Sequence, residues 1–177
     1  MLEMTIEAVR VSLMNYHRVV ILKEKDSNRF LPIWIGAPEA DAIAVKQQGV
    51  PVPRPMTHDL LHQIITELGC KVVRIVVSDI SNDTFYARIH LEIDGRALEI
   101  DSRPSDAINV AVRADAPIFC EEAVLDQAAV QMDEDGGLLD GTAEIERPPA
   151  VREEELEGMS AFRDFIDSLD LDDFGDK

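Results

Sequence analysis

Residues 100–119, IDSRPSDAINVAVRADAPIF, decide how the rest of this chain folds. They place the end of a strand, a charged turn, a helix and a second strand in one short stretch. The helix begins at Pro104, which suits a first helical turn, and Asp106 follows where a negative group favours the helix N-terminus. Most sides of this helix are apolar, so the pattern predicts a helix packed into a core.

A polar stripe interrupts the apolar surface of that helix. Its members are Ser102, Asp106, Asn109 and Arg113, at spacings of four, three and four residues. Two interpretations are open. The stripe is either a satisfied hydrogen-bond network with a helix cap, which geometry alone favours, or a functional site.

The patterns on either side of this stretch predict an α+β domain. Apolar alternation and short apolar runs predict strands at 5–13, 18–25, 30–35, 71–80, 84–93 and 96–100. Further helices are predicted at 37–48, 57–68 and 121–129, with Thr57 as the N-cap of the second of these. We therefore expect a mixed, largely antiparallel sheet with helices packed on it.

The two halves of this order of elements resemble each other. Each half has three strands followed by a helix, and a shift of 65 positions places Asp41-Ala42-Ile43 on Asp106-Ala107-Ile108. We hypothesise an internal duplication of a three-strand-plus-helix unit. The alternative is chance, because Asp-Ala-Ile is a common way to begin a helix.

The formal charge of −18 is concentrated at one end of the chain. Residues 1–120 hold 13 Lys and Arg against 16 Asp and Glu, whereas residues 121–177 hold 4 against 19. We expect a domain at 1–130 and an acidic flexible tail at 131–177, with a possible amphipathic helix at 153–169. A solvated tail is the favoured interpretation. Docking on the domain or a partner, and shielding of basic residues from nucleic acid, are the alternatives.

Several classes of protein fit the composition poorly. Cys70 and Cys120 are too far apart for a cysteine-based metal or redox motif. No apolar segment approaches the roughly 18 residues that span a bilayer, and the N-terminus lacks the pattern of a signal peptide. These features predict a cytoplasmic protein without a membrane partner. The whole-chain acidity argues against nucleic acid, but the nearly balanced first part weakens that objection.

Acidic side chains occur at three predicted helix starts, where free amides also bind phosphate. They are Glu39 and Asp41, then Asp59 beside His58, then Asp101 and Asp106. If these starts converge, the basic side chains of Arg54, Arg103 and Arg113 could hold phosphate while the acids bind a divalent cation or activate water. Each acid alone is explained as a partner of the helix dipole, so convergence of all three would favour a site.

Five segments resemble the bifunctional nuclease domain family. They are LPIWIG at 31–36, EADAI at 39–43, RPMTHDLL at 54–61, TFYARI at 84–89 and DSRPSDAINVAVRADAPIF at 101–119. The resemblance covers about residues 3–128 and implies a compact α+β domain, often self-associating, with nuclease activity on DNA and RNA. The family's motif positions are Glu39, Arg54, His58, Asp59, Asp101, Arg103, Ser105 and Asp106.

These observations lead to one expectation and one alternative. We expect a homo-oligomeric phosphodiesterase, with a dimer favoured, that cleaves DNA and RNA with the assistance of Mg²⁺ or Mn²⁺. The catalytic candidates are His58, Asp59, Asp101 and Asp106; the substrate-binding candidates are Arg54, Arg103, Ser105 and Arg113; the metal candidates are Glu39, Asp59, Asp101 and Asp106. The alternative is a self-associating, non-catalytic binding or regulatory module in which the RPSDAI turn is a structural element.

Overall fold

A computed structural model describes residues 1–11 and 17–131 of the chain. The strands are β1 (Leu2–Val11), β2 (Arg18–Glu24), β3 (Arg29–Ile35), β4 (Lys71–Ser81), β5 (Thr84–Ile93), β6 (Arg96–Ser102), β7 (Ile118–Cys120) and β8 (Val130–Gln131). The helices are α1 (Ala37–Gln47), α2 (Thr57–Glu67), α3 (Pro104–Ala114) and α4 (Glu122–Ala128). The expected helix at 153–169 lies outside the described residues, and the division at residue 130 stays a prediction.

The strands form a single mixed sheet in the order β6-β5-β4-β7-β1-β2-β3-β8. Every neighbouring pair is antiparallel except β4 and β7, which run parallel. The parallel pair arises because α3 carries the chain from the edge strand β6 back to the middle of the sheet. The expected α+β class, with a largely antiparallel sheet, is confirmed.

The two halves of the chain occupy opposite sides of β7. In each half a three-stranded antiparallel meander leads into a helix, first β1-β2-β3-α1 and then β4-β5-β6-α3. β1 and β4 both border β7, so the two meanders extend in opposite directions from the centre of the sheet. This arrangement fits the hypothesis of an internal duplication, which stays a prediction until the halves are superposed.

The main core lies between the helices and one face of the sheet. It contains Val20 and Leu22 of β2, Ile75 and Val77 of β4, and Ile108 of α3, all fully or nearly fully buried. On β2 the alternate residues Val19 and Ile21 belong to a second, smaller cluster on the opposite face. This two-sided burial explains why β2 reads as a continuous apolar run in the sequence.

Helix α2 begins with a different cap from the one predicted. Thr57 was predicted to be the N-cap, but the cap is Met56, whose backbone N–H donates to Asp59 Oδ2 at 2.8 Å. Asp59 thereby supplies the polar group at the helix start that Thr57 was expected to provide. β8 was not expected at all, since two residues paired with Arg29 and Phe30 leave no periodic pattern.

The apolar side of α2 faces outward. Its large apolar side chains are exposed, at 52% for Leu60, 36% for Leu61, 47% for Ile64 and 67% for Leu68. His58 is buried instead, and Ile65 packs against the main core. We call the four exposed residues the α2 apolar stripe. Among residues 1–11 and 17–131, no helix is long and apolar enough to cross a membrane.

Candidate functional site

The starts of α1, α2 and α3 meet at one place. Arg103, the N-cap of α3, donates from Nε to Asp106 Oδ2 at 2.7 Å and from Nη2 to Asp106 Oδ1 at 3.0 Å. The same Nη2 donates to Glu39 Oε1 of α1 at 2.9 Å. His58 Nε2 of α2 lies 3.0 Å from Asp106 Oδ1. The convergence that the sequence left open is therefore present for Glu39, His58 and Asp106.

The polar stripe of α3 extends this set of contacts into the core. Arg113 Nε donates to Asp59 Oδ1 at 2.7 Å, and Arg113 Nη2 donates to the carbonyl of Ala42 at 3.3 Å. Asn109 Nδ2 donates to the carbonyl of Glu39 at 3.0 Å, and its Oδ1 accepts from Arg113 Nη1 at 2.9 Å. The stripe thus ties α1 and α2 to α3. We call Glu39, His58, Asp59, Arg103, Asp106, Asn109 and Arg113 the polar network.

The network favours the ionised forms of Asp59 and Asp106. Burial disfavours the charged form of Asp106, but hydrogen bonds from Arg103 and His58 outweigh it and hold its pKa below the ordinary value. Burial likewise opposes ionisation of Asp59, whose pKa is nevertheless lowered by the Met56 amide and by Arg113. The hydrogen bond to Asp106 raises the pKa of Arg103. The Asp59–Arg113 and Asp106–Arg103 ion pairs are therefore charged at neutral pH.

His58 has one ring nitrogen bound to Asp106 and one without a hydrogen bond to the described residues. Nε2 faces the ionised Asp106, so this nitrogen carries the proton, as in a carboxylate-oriented imidazole. Nδ1 makes no hydrogen bond with the described residues. The imidazole keeps 10% of its surface exposed, and Nδ1 is not among the enclosed, unbonded side-chain atoms of the described residues. A free lone pair on an oriented imidazole is what a general base requires.

Arg103 also has unused binding capacity. Its side chain is 66% exposed although it holds two carboxylates. Nη1 makes no hydrogen bond within residues 1–11 and 17–131, because the contacts to Asp106 and Glu39 use Nε and Nη2. A guanidinium presents five N–H donors in a fixed plane, so Arg103 can bind an external oxyanion without leaving the network.

Not every candidate residue joins the network. Asp101 pairs with Arg88 in the β5–β6 ladder, whereas its neighbours Ile100 and Ser102 pair with Ile89 and Ala87 of the main core. Strand alternation therefore places Asp101 on the sheet face opposite the helices, away from Asp106. Ser105 is buried within the first turn of α3.

The network's acids do not fit a divalent cation as their side chains lie. Arg103 binds both Glu39 and Asp106, and Arg113 binds Asp59, so the oxygens that would face a metal face guanidinium groups. Within the described parts of the chain, no group of three or more His, Cys, Asp and Glu side chains is placed to hold a metal ion. A cation at this place would need Arg103 to withdraw.

A cavity of about 380 Å³ adjoins the network at the Asp59–Arg113 pair. Its walls come from the end of α1 and from the proline-rich connector between α1 and α2. Arg54, a predicted substrate-binding residue, lines it, and so does Lys46, which the sequence analysis did not single out. Lys46 sits in the last turn of α1, where a basic residue is an ordinary dipole partner, so no local pattern marks it.

The sequence of the chain is similar to a known family and to several known proteins. The family described as the bifunctional nuclease domain matches residues 20–133. An uncharacterized protein of Mycobacterium tuberculosis (strain H37Rv) is 41% identical over 172 residues, which is 97% of both chains.

Plant proteins with an assigned name are more distant. Bifunctional nuclease 1 of Oryza sativa subsp. japonica is 26% identical over 106 residues, covering 58% of this chain and 32% of the plant protein. Bifunctional nuclease 1 of Arabidopsis thaliana is 29% identical over 106 residues, covering 58% and 33%. The chain thus spans about a third of the length of these two plant relatives.

Proposed function

Because the chain belongs to the bifunctional nuclease domain family, we propose that it hydrolyses phosphodiester bonds of DNA and RNA at the polar network. One observation carries the proposal: Asp106 orients the imidazole of His58 and also holds the exposed Arg103. One carboxylate thereby positions both a proton acceptor, His58, and a hydrogen-bond donor for an oxyanion, Arg103. Hydrolysis of a phosphodiester needs both.

The residues have separate roles in the proposed reaction. Nδ1 of His58 takes a proton from a water molecule, and the water oxygen attacks phosphorus. The P–O ester bond breaks, and the leaving oxygen receives a proton from solvent or from the imidazolium. Arg103 binds the non-bridging oxygens, on which negative charge grows in the transition state. Asp106 keeps His58 in the correct tautomer and stabilises the imidazolium that forms.

Assistance by Mg²⁺ or Mn²⁺ is a separate part of the proposal. It would require Glu39 and Asp106 to exchange Arg103 for the cation. The roles of His58 and Arg103 above do not depend on that exchange, so metal dependence is decided by the assay.

The test is cleavage of labelled single-stranded DNA and RNA by purified protein with Mg²⁺, with Mn²⁺ and with a chelator. His58→Gln is expected to slow cleavage by about 10²–10⁴-fold, since it removes the general base. Arg103→Gln is expected to slow it by about 10²–10³-fold, since it removes an oxyanion donor. Arg88→Gln is the matched control, because Arg88 is also exposed and ion-paired, with Glu99, but lies away from the network.

The pattern of cleavage among the three variants distinguishes activity of this protein from activity of a contaminant. Loss of cleavage in both network variants, with Arg88→Gln unchanged, supports hydrolysis at this place. Equal cleavage by all three variants would show that the activity comes from another protein or another site.

A second proposal, self-association, is favoured by the α2 apolar stripe. Leu60, Ile64 and Leu68 form one ridge at four-residue spacing, with Leu61 on one side of it and the exposed Glu67 at its other edge. An apolar ridge of this kind can pack against the same ridge of a second copy, with Glu67 kept at the rim of the contact, where its charge stays hydrated. We therefore propose a two-fold dimer in which the α2 helices of two copies meet.

Light scattering after gel filtration tests the dimer. Ile64→Glu should convert dimer to monomer without loss of helix content, because Ile64 is 47% exposed in the single chain. Tyr86→Glu is the control, since Tyr86 is similarly exposed at 42% but lies on the opposite face of the sheet. A monomeric wild type, or an Ile64→Glu dimer of unchanged affinity, would exclude this interface.

A further inference from the structure

The cavity beside the network is lined by more cationic than anionic side chains. Lys46 and Arg54 line it, and neither forms an ion pair or side-chain hydrogen bond with any described residue. Asp59 is the acid on its wall, and that carboxylate is already bound by Arg113 and by the Met56 amide. Lys46 and Arg54 thus add two positive charges to the cavity beyond the Asp59–Arg113 pair, although Lys46 is near enough to Asp59 to favour its charged form, and the net charge of the chain is −18.

The rest of the cavity wall is apolar and stiff. The connector contributes Pro51, Pro53 and Pro55, which have no backbone N–H and a fixed φ. Val50 and Val52, exposed at 48% and 40%, alternate with the prolines. The cavity therefore offers an apolar surface with few main-chain donors, so an anion would have to be bound by the side chains of Lys46 and Arg54.

The size of the cavity restricts the ligand. About 380 Å³ falls within the roughly 300–1,000 Å³ of small-molecule sites, at the lower end. That volume suits one nucleotide better than a longer piece of nucleic acid. A nucleotide has an anionic phosphate, which matches Lys46 and Arg54, and a base with an apolar face, which matches the apolar wall.

We infer that this cavity binds a single phosphate-bearing nucleotide, with its phosphate between Lys46 and Arg54 and its base against the proline-rich connector. The inference rests on the proposed nuclease function for the choice of a nucleotide over other organic phosphates. The nucleotide comes either from the phosphorylated end of a nucleic acid strand or from the free nucleotide pool. In both cases the chemistry that is recognised is a phosphate next to a base.

Calorimetric titration of the full-length chain with 5′-AMP and with adenosine tests the inference. We expect AMP to bind at least tenfold more tightly than adenosine, because adenosine has no phosphate. The double variant Lys46→Gln/Arg54→Gln should bind AMP at least tenfold more weakly than the wild type. Lys71→Gln/Arg96→Gln removes the same charge from exposed positions on β4 and β6 and should leave AMP affinity unchanged.

A 5′-phosphorylated trinucleotide, compared with its unphosphorylated form, separates the two sources. Phosphate-dependent binding of the trinucleotide indicates recognition of strand ends, and binding of AMP alone indicates the free nucleotide. Equal affinity for AMP and adenosine, or an unchanged affinity in Lys46→Gln/Arg54→Gln, overturns the inference.

This binding result is independent of the cleavage result. AMP binding that needs Lys46 and Arg54, in a protein that cleaves nothing, would keep the nucleotide site and reject the hydrolase. Cleavage that needs His58, without AMP binding, would reject the nucleotide site alone.

Discussion

Replacement of Arg113 by methionine should lower the free energy of unfolding by about 3 kcal/mol. The Arg113 side chain is 3% exposed and binds Asp59, Asn109 and the carbonyl of Ala42. Removing one partner of a buried ion pair costs about 3–5 kcal/mol. The lower end of this range applies, because Asp59 is 29% exposed and retains its hydrogen bond from the Met56 amide. Methionine retains most of the volume, which limits any contribution from a cavity.

Urea unfolding followed by the fluorescence of Trp34, the single tryptophan, measures this loss. Arg96→Met is the control: Arg96 is exposed on β6, so its replacement should change stability by no more than about 0.5 kcal/mol. A double-mutant cycle with Asp59→Asn isolates the contribution of the pair. A loss below about 1 kcal/mol for Arg113→Met, or an absence of coupling to Asp59, would refute the view that Arg113 ties α2 to α3.

Three further predictions concern pH, backbone strain and thiol reactivity. Asp59 and Asp106 have lowered pKa values, so their contribution to stability is complete above the unfolded-state pKa near 3.8 and disappears as the pH falls through the folded-state value. Urea midpoints should therefore decrease below about pH 5, and less steeply for Asp106→Asn. Asp115 ends α3 with φ 51°, so Asp115→Gly should raise the thermal midpoint through a gain of about 0.5 kcal/mol, and a lower midpoint would contradict this. Burial raises the pKa of Cys120 to about 12, so a thiol reagent should label the less buried Cys70 first, and simultaneous labelling would contradict the fold.

The elements of this fold could be predicted because their signals are local. Alternation marks β5 and the proline-led start marks α3, and both appear in the structure close to the expected positions. The order of the strands could not be predicted in the same way. β7 inserts between β4 and β1, and this depends on how α3 crosses the sheet, which no single segment encodes.

The candidate site was partly predictable for the same reason. Helix dipoles and the stripe spacing identified Asp106 and Arg113, but the partner of Arg113 is Asp59, 54 residues away in sequence. Asp101 and Asp106 are close in sequence, but their side chains are not close in the structure. The end of β6 and the start of α3 direct them to different places. The spacing of apolar residues in α2 does not indicate whether they face the core or solvent, and the structure leaves Leu60, Ile64 and Leu68 exposed.

Asp106→Asn and Asp101→Asn, compared in one cleavage assay, test most directly whether the polar network is the site of hydrolysis. Asp106 holds His58 and Arg103, whereas Asp101 lies on the opposite face of the sheet. We predict that Asp106→Asn loses at least 99% of the cleavage rate on single-stranded DNA and RNA, an effect of about 10²-fold or more, and that Asp101→Asn keeps the wild-type rate. Equal rates for the two variants, or a loss confined to Asp101→Asn, would contradict the assignment of hydrolysis to the polar network.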